Sequence, residues 1–185
     1  MKTVEDDIKL VNEVYGSWDN LHEFLRSEIA RLCPIICGKV TYYPQVQAGI
    51  SANERDLLLG SAHRRVATYE PEYLGLWPMI TIFPTGYANK HLATLVLAHE
   101  LIHHWEFINR GRYNFRYPKG VDSLIRDIFQ SAPYKERSWR ATHSENFIAK
   151  ASKVAKVLDI PLGSFLVYGS KLKPERKVQE PALTD

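Results

Sequence analysis

The run from Asn89 to Arg110 constrains this chain more than any other part, because it is apolar enough to be buried yet carries histidines and a glutamate at helical spacing. Asn89 suits a helix N-cap and Gly111 a helix stop, so the run reads as one helix. Leu92, Leu95, Val96 and Ile102 make its surface largely apolar, which requires a place inside the fold. Within it lies His99-Glu100-Leu101-Ile102-His103. Residues four apart share one helical face, so both imidazoles can point at a single tetrahedral metal ion. Glu100 stands about 100° round the helix from His99, where its carboxylate can reach a water on that ion and act as general base. Core histidines satisfied by backbone carbonyls are the alternative, but two on one buried stripe beside a carboxylate favour a metal. His104 and Trp105 are expected to pack or to face solvent.

A catalytic zinc site needs a third protein ligand and an open fourth position. Downstream candidates are Asp122, Asp127, Glu136, His143 and Glu145. Thr142 and Glu145 have capping-box spacing, which places His143 in the first turn of a last helix. That turn would hold it on a rigid element while letting it project from the end. Glu145 is the rival ligand, since carboxylates also bind zinc.

The rest of the chain reads as mixed α and β. Apolar positions Val4, Ile8, Val11, Val14, Leu21, Phe24, Leu25 and Ile29 predict helix over residues 4–32, broken near Gly16-Ser17-Trp18-Asp19 and restarted with Asp19 or Asn20 as cap. Strands are expected at Val40–Tyr43, Ala62–Thr68 and Met79–Pro84. Further helices are expected at Val121–Gln130 and Thr142–Leu158, the last stopped by Pro161. Strands flanked by helices imply an α+β fold, with one domain over residues 1–170 and a flexible polar tail over 171–185. Cys33 and Cys37, among apolar neighbours and with no second ligand pair nearby, are expected to be buried free thiols. The composition is that of a globular chain, with 45% hydrophobic and 24% charged residues, which excludes a disordered or collagen-like one. No stretch approaches the roughly 20 apolar residues of a membrane helix. The acidic start, Met1 to Asp7, is unlike a signal peptide, so the expected location is cytoplasmic.

Taken together, His99-Glu100-Leu101-Ile102-His103-His104-Trp105 followed by His143-Ser144-Glu145-Asn146-Phe147 resembles the SprT-like zinc metallopeptidases. That family has an HExxH helix and then a third histidine in an H-x-x-x-F context opening the next helix. Gly60-Ser61-Ala62-His63 and Ile80-Thr81-Ile82-Phe83-Pro84 are also similar, and the likeness spans residues 20–160. The resemblance implies a zincin-like fold, a small sheet packed on the HExxH helix. It also implies one Zn²⁺ per chain, held by His99, His103 and His143, with Glu100 as catalytic base and a protein or peptide as substrate. Many relatives carry a C-terminal four-cysteine ribbon; this chain has no cysteine after Cys37, and its second and third histidines stand 40 positions apart. A donor to the developing oxyanion would come from Tyr113, Tyr117, Tyr134 or Arg140.

Residues 110–140 carry a net charge of +5, although the whole chain carries only +3. Tyr113, Phe115, Tyr117, Phe129, Tyr134 and Trp139 are interleaved with the cations. Cations track phosphates and aromatic faces stack on bases, so the composition suits a single-stranded DNA platform using Arg112, Arg116, Arg137 and Trp139. It suits equally a solvated insert whose aromatics pack on the fold. The expectations are therefore a zinc metallopeptidase first, a DNA-associated protease acting on DNA-bound proteins second, and a non-catalytic zinc-containing binding protein third.

Overall fold

A computed structural model of the chain describes residues 3–40, 43–50, 66–73, 77–109, 120–130 and 139–166. Two N-terminal helices, α1 (Val4–Tyr15) and α2 (Trp18–Cys37), meet at Gly16, whose φ of +86° favours glycine. The break falls where the sequence predicts it, but the cap is Ser17, which accepts from the Asn20 amide at 3.1 Å, in place of Asp19 or Asn20. Leu21, Leu25, Ile29, Leu32 and Ile36 fall on one stripe of α2 and are all buried, so the helix packs along its length. It runs five residues beyond the expected end, through Pro34, to the Gly38 cap.

Three strands follow: β1 (Gln45–Ala48), β2 (Ala67–Tyr73) and β3 (Trp77–Ile82). The order is β1-β3-β2, with β1 parallel and β2 antiparallel to the central β3. Val46 lies opposite Ile80 on one side, and Tyr69 lies opposite Ile80 on the other. Two expected strands are displaced. Val40 and Tyr43 are not in a strand; pairing begins only after Pro44, which has no amide to give to a ladder. β2 begins at Ala67, five residues later than expected, and continues through Pro71, tolerated because β2 is an edge. The expected residues 62–65 of that strand lie outside the described residues, as do 41 and 42.

The helix predicted from Asn89 is α3 (Lys90–Ile108), with the Asn89 side chain accepting from the Leu92 amide at 2.8 Å. It is buried on nearly every side, through Ala93, Leu95, Val96, Leu97, Ala98, Leu101, Ile102 and Trp105. α2, β2 and β3 all pack against it. Ile80 and Ile82 join the same apolar core. Burial all round makes α3 the central post of the fold, so groups on it are held by packing as well as by the helix.

Beyond it come α4 (Val121–Ile128), α5 (Glu145–Val157) and α6 (Leu162–Leu166), and residues 139–142 form a short helical turn before α5. The capping box expected from Thr142 and Glu145 does not form. Ser144 caps α5 and accepts from the Phe147 amide at 3.1 Å, while the Thr142 hydroxyl donates to the Trp139 carbonyl and closes the preceding turn. His143 thus stands just ahead of the cap, outside the helix. α6 was not legible in the sequence. α5 ends at Leu158, the left-handed Asp159 (φ +53°) turns the chain, and Pro161 leads into α6. Among the described residues, no helix is long and apolar enough to cross a membrane. The tail at 171–185 lies outside the described residues.

Candidate metal centre

Helix α3 presents His99 and His103 one turn apart, and the residue before the α5 cap brings His143 up to them. One ligand atom from each of the three lies within 4.8 Å of the others, and the Nε2 atoms of His99 and His143 are 3.0 Å apart. Phe147, the third residue of α5 and fully buried, packs against all three rings, with centroids at 4.8 Å from His99, 4.5 Å from His103 and 4.6 Å from His143. Its ring forms the floor of the cluster.

The outer nitrogens decide how the inner ones are protonated. His99 Nδ1 lies 3.3 Å from the Phe165 carbonyl, and His143 Nδ1 lies 2.7 Å from the Trp139 carbonyl. A carbonyl only accepts, so each Nδ1 carries the proton and donates it. In a neutral imidazole the Nε2 is then a bare lone pair. Neutrality is enforced: burial drives the His99 pKa well below its ordinary value, and His103 and His143 reinforce this. Burial likewise lowers that of His143 to about 4, against the opposing pull of the Trp139 carbonyl. Two lone pairs therefore converge at 3.0 Å in a partly buried place, where they repel unless a cation lies between them. Donation of the outer N–H to a carbonyl is the arrangement that orients metal-bound histidines.

His143 is fixed from outside as well. Trp139 stacks on it at 4.3 Å and only 12° from parallel, and itself leans on Phe129 at 5.9 Å. Arg140 pairs with Asp122 at 2.9 Å, tying this turn to α4. Of the residues with a predicted role, the geometry brings together His99, His103 and His143. Glu100 follows His99 on α3 and is buried, with only 4% of its surface exposed. Asp122 is engaged with Arg140, Asp127 and Glu145 are exposed, and none of the three belongs to the cluster. Trp139, proposed for stacking on bases, has one face covered by His143. Arg112, Tyr113, Arg116, Tyr117, Tyr134, Glu136 and Arg137 lie outside the described residues.

Sequence reasoning missed two participants. Phe165 belongs to the unexpected α6, and a backbone carbonyl leaves no mark in a sequence. Glu106, three residues after His103, brings a carboxylate oxygen within 3.7 Å of His103 Nδ1 and accepts from the Ser144 hydroxyl. The i,i+3 spacing was the signal for it. His104, expected to pack or face solvent, packs: it is wholly buried, with Nδ1 at 2.9 Å from the Tyr69 hydroxyl. Trp105 is also buried, with the Lys150 ammonium 4.9 Å above its ring. Cys33 and Cys37 are free thiols, Cys33 buried and Cys37 half-buried. The chain matches no protein-family model, no curated protein and no solved structure.

Proposed function

We propose that this chain is a zincin-like zinc metallopeptidase whose ion is held by His99, His103 and His143. The observation that carries the reading is the convergence of imidazole lone pairs, His99 and His143 Nε2 at 3.0 Å, with their outer nitrogens spent on carbonyls. Three neutral imidazoles suit Zn²⁺, and a three-ligand site leaves a fourth position for water or substrate. When bound, the ion supplies Lewis acidity toward a water and a scissile carbonyl. The remaining work belongs to the chain. Glu100, next to His99 on the buried helix α3, would take the proton from the attacking water and pass it to the leaving amine. Phe147 keeps the floor of the site dry, which strengthens each electrostatic contact above it. A purely structural zinc has no need of a carboxylate at position 100, so the hydrolytic reading is the stronger one. Protein or peptide is the substrate class.

The test combines elemental analysis with a protease assay. Protein purified without added metal should contain about one zinc per chain, as expected for a three-imidazole site. It should also cleave an unfolded protein substrate and lose that activity in Glu100→Gln with zinc retained. A chain that neither holds nor takes up zinc ends the reading.

A further inference from the structure

We infer that Glu106 is a positioning residue of this centre, orienting His103 and locking the segment that carries His143 to α3; the inference rests on the metal reading above. Glu106 sits in the last turn of α3, three residues after His103, and its side chain is 22% exposed. One carboxylate oxygen faces His103 Nδ1 at 3.7 Å, and the other accepts from the Ser144 hydroxyl. With Nδ1 facing Glu106, His103 has Nε2 to offer the ion.

The three histidines are therefore backed differently. Neutral carbonyls back His99 and His143, whereas a carboxylate backs His103. An anion behind an imidazole fixes its tautomer and makes it a more basic ligand. Ser144 gives the second link. Its oxygen caps α5 by accepting from Phe147, the ring under all three histidines, and its proton goes to Glu106. The residue before Ser144 is His143. One carboxylate thus sets one ligand directly and tethers the element that brings another, across 38 positions of sequence.

Zinc affinity measured by competition with a chromophoric chelator, together with the visible spectrum of the cobalt(II)-loaded chain, tests this without reference to activity. Glu106→Ala should bind zinc roughly 10- to 100-fold more weakly, the usual effect of removing an outer-shell partner. Its metal-free form should unfold like the metal-free wild type. Glu106→Gln keeps an acceptor oxygen of the same shape, and should lose only severalfold while its cobalt bands stay at the wild-type position. Wild-type affinity in either variant overturns the inference. Bands that shift in Glu106→Gln also overturn it, because they would make Glu106 a ligand itself. If Glu106→Ala fails to fold, the isosteric Glu106→Gln carries both readouts. A wild-type chain that takes up no zinc refutes the metal reading, and this inference with it. Zinc uptake by the wild type with unaffected variants refutes this inference alone.

Discussion

The two sides of the candidate metal centre are built by different means. His99 and His103 stand on α3, a continuous helix buried on nearly every side, and their relative placement follows from 3.6 residues per turn. His143 comes from a short irregular step between the turn at 139–142 and α5. Its position depends on tertiary devices: the Trp139 carbonyl and stacked ring, the Ser144 cap, and the Arg140–Asp122 pair. A helix can specify two ligands through sequence spacing alone. The third ligand needs the rest of the fold.

Removal of ligands should expose that difference most strongly. His99→Ala and His103→Ala should each reduce zinc affinity by well over the roughly 100-fold that outer-shell losses reach. His143→Ala should also weaken binding markedly, but less, because two preorganised imidazoles remain on α3. Chelator competition gives all three values. Equal losses would mean that the irregular side is as well preorganised as the helix. Intact binding in His143→Ala, with loss in Glu145→Ala, would transfer the third ligand to the exposed carboxylate.

Glu100 belongs to the helical side, and its substitution should separate chemistry from binding. Glu100→Gln should lower hydrolysis by roughly 10²- to 10⁴-fold, the usual contribution of a general base, with zinc content unchanged. Wild-type turnover in that variant would place the base elsewhere.

The same contrast explains what was legible in the sequence. α3, its Asn89 cap and the His99–His103 pair follow from local rules, as does the break at Gly16. The mixed α and β composition of the fold follows from the alternation of patterns. The misplaced features depended on choices of partner that the local pattern leaves open. β1 lies where residues can pair with Met79 to Ile82, and the β-branched signal at Val40 and Thr41 knows nothing of that register. Thr142 and Ser144 both offer a capping hydroxyl. The choice of Ser144 follows from Thr142 bonding to the Trp139 carbonyl, which a spacing rule does not see. His143 was recognisable as a ligand candidate, whereas its tautomer, set by a carbonyl, was not. Glu106 shares a helical face with His103 at i,i+3, a spacing common to many helix-surface pairs that does not by itself single out a metal partner.

Two substitutions on the irregular side should grade its supports. Phe147 is fully buried beneath the three rings, so Phe147→Ala should cost about 3–5 kcal/mol in the metal-free protein. Arg140→Ala removes a partly exposed ion pair, with side chains 30% and 48% accessible, and should cost only about 0.2–1 kcal/mol. Denaturant unfolding measures both. A large effect at Arg140 would mean that the tether to α4 carries more of His143's placement than its exposure suggests.

The smallest effects concern pH, and they sharpen the comparison by pairing a buried group near the site with one far from it. Burial lowers the His104 pKa from 6.5 to about 4 and raises that of Tyr15 from 10 to about 12. Between pH 6.5 and 4 the unfolded chain takes up a proton at His104 that the folded chain refuses, so stability falls as pH drops through that window. The shift is worth on the order of 3 kcal/mol. In the metal-free protein His99 and His143 act in the same direction, and zinc, if bound, would steepen the acid limb, because the folded chain alone would have to keep these imidazoles deprotonated. At the other end, the Tyr15 hydroxyl donates to the Tyr87 carbonyl at 3.0 Å and must stay protonated. The unfolded chain releases that proton near pH 10 and the folded chain only near 12, so stability falls as pH rises between them. Tyr15→Phe should cost about 1 kcal/mol at neutral pH by removing this buried hydrogen bond. It should also flatten the alkaline limb with or without zinc. An acid limb that zinc leaves unchanged would mean that His104 dominates it. An alkaline limb that survives Tyr15→Phe would assign that limb to another group.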